Sequence, residues 1–215
     1  MSSVLSTKLL SPSQKNLLLN AGLSLTEYNA IQTEALDLPT SISEETYSHA
    51  IITSQTTVDL IQHLNIQKCF CVGEKTAKKL KTQEFHVEII AKTGRELAQR
   101  LVENYSDCSF TFFGSAKRRP EISQILNQAE VDLTEIFVYD TLKTPKAFNR
   151  PFDAVLCFSP SGVESFFEAN PSSSSKVICI GQTTATQAKR YSNSVFMSTT
   201  TSVESVIVKA VKLLK

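Results

Sequence analysis

The second half of this chain loosely repeats the first. AIITSQTTVDL, residues 50–60, pairs with VLCFSPSGVES, residues 155–165, so that Ser54 stands opposite Ser159 and Val58 opposite Val163. CVGEKTAKKL is matched by CIGQTTATQA, with Gly73 opposite Gly181, and TGRELAQRLV by TSVESVIVKA, both at a spacing of about 108 residues. Three matched blocks in the same order make chance a poor explanation. A period of ~100 residues is far too long for a solenoid and has the size of a small domain, so two similar domains are expected.

In block after block an apolar, strand-like run gives way to a polar turn and then to helical periodicity. HAIITS precedes TTVDLIQHL, KCFCVG precedes EKTAKKLK, FTFFGS precedes PEISQILNQA, and AVLCFS precedes GVESFFEA. Strand, turn and helix in repetition predict an α/β protein with parallel sheets covered by helices. The N-terminal VLSTKLL and SPSQKNLLLNAG read as one more strand and a helix, capped by Ser11, opened by Pro12 and ended by Gly22. This piece is too short for a domain and precedes the first repeat. It is therefore expected to complete the domain of the C-terminal repeat, giving a discontinuous domain of residues 1–32 and 145–215 with residues 33–144 inserted.

Several function classes lose support at once. Lys and Arg (22) nearly balance Asp and Glu (21), so no global field draws the chain to nucleic acid or an anionic membrane. No run approaches the ~20 apolar residues of a membrane span, and MSSVLSTKLLSPSQK has no basic leader or small-residue cleavage site, which makes the cytoplasm the expected compartment. The five cysteines are odd in number and four lie in apolar runs, as buried thiols of a reducing compartment do. Cys69 and Cys71 form only C-x-C, and His49, His63 and His86 are scattered, so no metal site is expected. Neither nucleotide-binding glycine motif occurs, and FSPSG lacks the spacing of a nucleophile elbow.

Open parallel sheets gather ligands at the carboxyl ends of their strands. There the sequence places Thr53-Ser54, Gly73, Gly114-Ser115, the loop Ser159-Pro160-Ser161-Gly162, and Gly181-Gln182-Thr183-Thr184. Small residues let a ligand approach the amides of helix N-termini, each worth about half a positive charge, so converging loops of this kind hold carboxylates or phosphates without a basic surface. The same residues are also ordinary caps and turn formers, which suffices for any one loop alone. Lys117, Arg118 and Arg119 after FTFFG offer either cations for a bound anion or a solvated helix start.

Alternation alone makes Tyr139, in IFVYDT, an ordinary strand aromatic. However, the series ITSQTTV, VGEKTA, FGSAKR, VYDT, FSPSGV and IGQTTA, in that order from about residue 50 to 190, resembles uroporphyrinogen-III synthase, a family identified by scattered short motifs in fixed order. The resemblance implies two α/β domains joined by a two-stranded ladder, the first discontinuous. It also implies a reaction in which the linear tetrapyrrole hydroxymethylbilane loses water and closes to uroporphyrinogen III with ring D inverted, with no metal or organic cofactor. The eight carboxylates of that substrate suit amides, hydroxyls and a few cations better than a uniformly basic surface.

By the same matching, Tyr139 falls on the tyrosine of V-Y-x-T, whose neutral phenol would assist the departing hydroxyl. Thr53, Ser54, Ser159, Ser161 and Gly162 fall on the paired T-S and S-P-S-G loops, and Gln182, Thr183 and Thr184 on I-G-x-T-T. Gly73, Gly114, Lys117, Arg118 and Lys176 complete the expected substrate-binding set. Gln55 and Thr56 depart from relatives, which often carry proline and a basic or polar residue there. The expected protein is a monomer that receives its substrate from hydroxymethylbilane synthase. One other class of function fits the same motifs, a non-catalytic two-domain protein that binds a tetrapyrrole or another anion.

Overall fold

A computed structural model describes residues 1–117 and 120–215; Arg118 and Arg119 lie outside the described residues. The chain forms two compact units, Met1–Gln32 with Leu142–Lys215, and Thr33–Thr141. In chain order, β1 (Ser3–Ser6), α1 (Pro12–Leu19) and β2 (Ser24–Glu27) come first, and β3 (Ile31–Ala35) leads into the inserted unit. That unit continues with α2 (Thr40–Glu44), β4 (Thr46–Ile52), α3 (Gln55–Leu60), β5 (Asn65–Val72), α4 (Glu74–Thr82), β6 (Val87–Ala91), α5 (Gly94–Asn104), β7 (Phe110–Ser115) and α6 (Glu121–Gln128). β8 (Leu133–Lys143) leads back to β9 (Ala154–Cys157), α7 (Pro160–Ala169), β10 (Lys176–Cys179), α8 (Gln182–Ala188), β11 (Val195–Met197) and α9 (Val203–Leu214).

The discontinuous unit has the strand order β11-β10-β9-β1-β2, with every pair parallel. The inserted unit has β6-β5-β4-β7-β8-β3, parallel from β6 through β8. The α/β class and parallel sheets expected from the sequence are therefore what the chain forms. The two orders superpose term by term: β11 on β6, β10 on β5, β9 on β4, β1 on β7 and β2 on β8. The units are thus circular permutants of one topology, and β1-α1-β2 takes the place that β7-α6-β8 holds in the inserted unit.

Both sheets bury both faces. In the discontinuous unit Leu5, Val155, Cys157, Val177 and Cys179 line one face, while Val4, Ala154, Leu156 and Ile178 line the other. In the inserted unit Ala50, Ile52, Cys69, Cys71 and Phe113 oppose Ile51, Phe70, Phe110 and Phe112. Successive side chains alternate faces, so a strand covered on both sides reads as an unbroken apolar run, as AVLC and CFC do. Burial pushes the thiols of Cys69 and Cys179 up to about 12 and that of Cys71 to about 11, which leaves them unreactive core residues. Side-chain caps then start the helices: Ser11 forms a capping box on α1, and Ser54, Thr93, Ser159 and Ser202 cap α3, α5, α7 and α9.

Candidate active site

In a doubly wound sheet the ligand crevice opens at the carboxyl ends of two adjacent strands whose crossovers depart in opposite directions. In the inserted unit those strands are β4 and β7; in the discontinuous unit they are β9 and β1. The residues that close or follow them include Ser54, Ser115 and Lys117 in one unit and Thr7, Lys8 and Ser159 to Gly162 in the other. The two predicted serine loops thus lie at corresponding switch points.

In the inserted unit, half-buried Thr53 and Ser54 close β4. Ser54 Oγ accepts the Thr56 N–H at 3.2 Å as cap of α3 and also accepts the Tyr139 phenol at 3.3 Å. Tyr139 lies on β8 beside Ser115 of β7, where the ladder shifts register after Gly114, and its ring packs on the core that holds Tyr47, Val58 and Phe113. The register shift brings the phenol over the first turn of α3. Gly114 is a packing residue, since a Cβ there would stand 2.5 Å from the Phe112 ring. Gly73 opens α4 at φ +88°, a conformation that favours glycine, and its N–H is bonded to the Ala91 carbonyl.

Lys117 does not present a free ammonium. Its Nζ reaches the Thr141 carbonyl at 2.6 Å and the Asp140 carboxylate at 3.2 Å, while its N–H bonds to Ser115 Oγ. Asp140, held by the Thr141 N–H and then by Lys117, has its carboxyl pulled below the usual range. The pair ties the loop after β7 to the residues next to Tyr139.

In the discontinuous unit, Ser159 Oγ caps α7 by accepting the Gly162 N–H at 3.0 Å. Pro160 has no N–H, so the Ser161 amide remains as the first-turn donor that no helix carbonyl reaches. Gly162 is buried, and a Cβ on it would stand 3.1 Å from Ser159 Oγ and 3.6 Å from Thr7 Oγ1. Gly181 opens α8 without a capping side chain; Gln182 and Thr183 are exposed, whereas Thr184 is buried.

Lys176 is not brought to this edge. It begins β10 and so lies at the amino end of the sheet, its ammonium on the Leu213 carbonyl at 3.1 Å. A cavity of about 450 Å³ lined by Phe148, Arg150, Phe152, Phe166 and Asn170 also lies at the amino ends and contains none of the predicted residues. Sequence reasoning missed Lys8 at the switch point and Asp140 beside Tyr139; only the Thr-Lys that ends VLSTK offered a signal for Lys8, and Thr7 itself is buried with its hydroxyl on the Leu156 carbonyl.

Among the described residues no helix is long and apolar enough to cross a membrane. The sequence matches the family described as uroporphyrinogen-III synthase HemD over residues 13–207. Among solved structures, uroporphyrinogen-III synthetase from Helicobacter pylori aligns with a TM-score of 0.73 at 15% identity, covering 99% of this chain and 100% of that one. A mutant uroporphyrinogen III synthase from Thermus thermophilus aligns with a TM-score of 0.66 at 16% identity over 100% of both chains. Comparison with curated proteins gives no match.

Proposed function

Since the chain belongs to the uroporphyrinogen-III synthase family, we propose that it converts hydroxymethylbilane to uroporphyrinogen III and water, in tetrapyrrole and haem biosynthesis. The observation that carries the reading is Tyr139, a phenol aimed by Ser54 at the carboxyl edge of the inserted unit's sheet. The hydroxymethyl C–O bond breaks with assistance from its pyrrole nitrogen, and the single O–H of Tyr139, given to Ser54 in the free protein, swings to the departing hydroxide, which leaves as water. The azafulvene cation that remains is attacked by the substituted carbon of ring D, forming a spiro intermediate. That intermediate fragments and recloses with ring D turned over, and the proton released as the pyrrole regains aromaticity balances the one supplied to hydroxide.

Direct closure without inversion competes with this path. A difference of ~3 kcal/mol between the two transition states favours one by more than a hundredfold, so holding the chain of rings in one conformation is most of the work. Hydroxyls and first-turn amides of Thr53, Ser54, Ser159, Ser161, Gln182 and Thr183 suit the carboxylates of such a substrate. We read the protein as a cytoplasmic monomer supplied by hydroxymethylbilane synthase, in keeping with its unpaired cysteines and near-neutral charge. The test is to supply freshly made hydroxymethylbilane and separate the type I from the type III product. Type III at the level of the protein-free control would overturn the assignment.

A further inference from the structure

Lys8 and Lys117 follow corresponding strands of the two units, β1 and β7, each at the switch point. Their surroundings are opposite. The Lys117 ammonium is spent inside the protein on Asp140 and the Thr141 carbonyl. The Lys8 ammonium lies 5.8 Å from the centre of the Phe158 ring, and among the described residues no carboxylate is within ion-pair distance of it. A ring face positions a cation without neutralising it.

The backbone under Lys8 is fixed. Leu9 N–H bonds to Asn29 Oδ1 at 3.1 Å, Leu10 N–H to Glu27 Oε2 at 3.2 Å, and Ser6 Oγ–H to the Lys8 carbonyl at 2.6 Å. Glu27, an acid close to this loop, is already occupied by Lys15 at 2.5 Å. Beside Lys8 lie Phe158 and the Ser159–Gly162 turn, which packs closely on buried Thr7, whose hydroxyl donates to the Leu156 carbonyl at 2.8 Å. The result is an uncompensated cation on a rigid loop next to hydroxyl and amide donors.

We propose that Lys8 is the ammonium that binds a substrate carboxylate in the discontinuous unit, and that Lys117 is an internal strut. The inference rests on the synthase reading above and adds a residue to it. Lys8 is exposed, so its replacement leaves the core untouched.

The experiment compares wild type with Lys8→Gln, Lys8→Arg and Lys117→Gln, measuring KM and kcat for hydroxymethylbilane at low and high salt. Quenching of the fluorescence of an octacarboxylate porphyrin supplies a Kd that needs no turnover. Lys8→Gln is expected to raise KM and Kd about tenfold with kcat within about twofold, the scale of one charge-assisted hydrogen bond. It should also flatten the salt dependence of both constants, while Lys8→Arg restores them. Unchanged KM, Kd and salt dependence in Lys8→Gln, with wild type making type III product, would sink this inference alone. Equal weakening by Lys117→Gln at an unchanged melting temperature would overturn the division between the two lysines. Wild type that makes no type III product would remove the synthase reading, and the porphyrin Kd would then still decide whether Lys8 binds carboxylates.

Discussion

The Tyr139 phenol donates to Ser54 Oγ at 3.3 Å, linking residues 85 positions apart in the chain. Ser54 at the same time accepts the Thr56 N–H, so its own hydroxyl hydrogen must point away from both donors. The residue that caps α3 is therefore also the one that aims the phenol. One oxygen atom thus holds both the helix cap and the phenol, and the phenol's single O–H must leave it to reach a substrate.

Removing the phenolic oxygen separates Tyr139's chemistry from its packing. Tyr139→Phe keeps the ring on the core of the inserted unit, so the melting temperature should stay close to that of wild type. Type III formation is expected to fall by about a hundredfold, the usual worth of a positioned acid. A variant that turns over at the wild-type rate would assign the leaving-group role elsewhere.

Ser54→Ala and Ser159→Ala remove matching caps from the two units. Each should cost about 1 kcal/mol of stability, read from denaturant midpoints. Only Ser54→Ala also deprives Tyr139 of its acceptor, so its loss of type III formation should be the larger of the two. Equal losses in rate would mean that the 3.3 Å contact contributes nothing to the phenol's alignment.

The contrast between these loops and Lys8 shows what a sequence exposes. The strand–turn–helix blocks are legible because burial on both faces makes each strand apolar from end to end, and the serine loops stand out because duplication wrote them twice. Thr7 and Lys8 carry no such mark. Their strand precedes the first repeat, and they meet Ser159 only through pairing of β1 with β9, whose partners Leu5 and Val155 lie far apart in the chain. The Lys117–Asp140 pair depends in the same way on the register between β7 and β8, which local periodicity does not encode. Lys176 differs again: standing before its strand puts it at the amino end, away from the hydroxyl loops.

Gly114 and Gly73 should respond differently to alanine. At Gly114 the added Cβ would be 2.5 Å from the Phe112 ring, which is 1% exposed and has nowhere to go, so overpacking should cost about 1–3 kcal/mol. At Gly73 no atom lies within 4 Å, and only the backbone, at φ +88° and ψ 137°, opposes a side chain, at about 1–3 kcal/mol. Denaturant unfolding of the two variants measures the stability lost by each. Crystal structures would show a displaced Phe112 in Gly114→Ala and an unmoved surround in Gly73→Ala; an undisturbed ring in the former would contradict the packing argument.

The acid limb of stability should depend on Glu88. His86 Nε2 lies 3.1 Å from its Oε2, the Tyr105 hydroxyl donates to Oε1 at 2.9 Å, and Lys68 Nζ lies 3.5 Å away. These contacts, His86 first and Tyr105 next, hold the carboxyl below its ordinary range. A carboxyl with a folded pKa below its unfolded value of about 4.3 contributes stability that is complete above that value and is lost as pH falls through the folded one. Glu88→Gln should therefore melt at a lower temperature than wild type near pH 7, with the gap closing steadily below about pH 4. A gap of constant size across that range would show that the cost comes from the altered hydrogen-bond geometry of the amide and not from the lost charge.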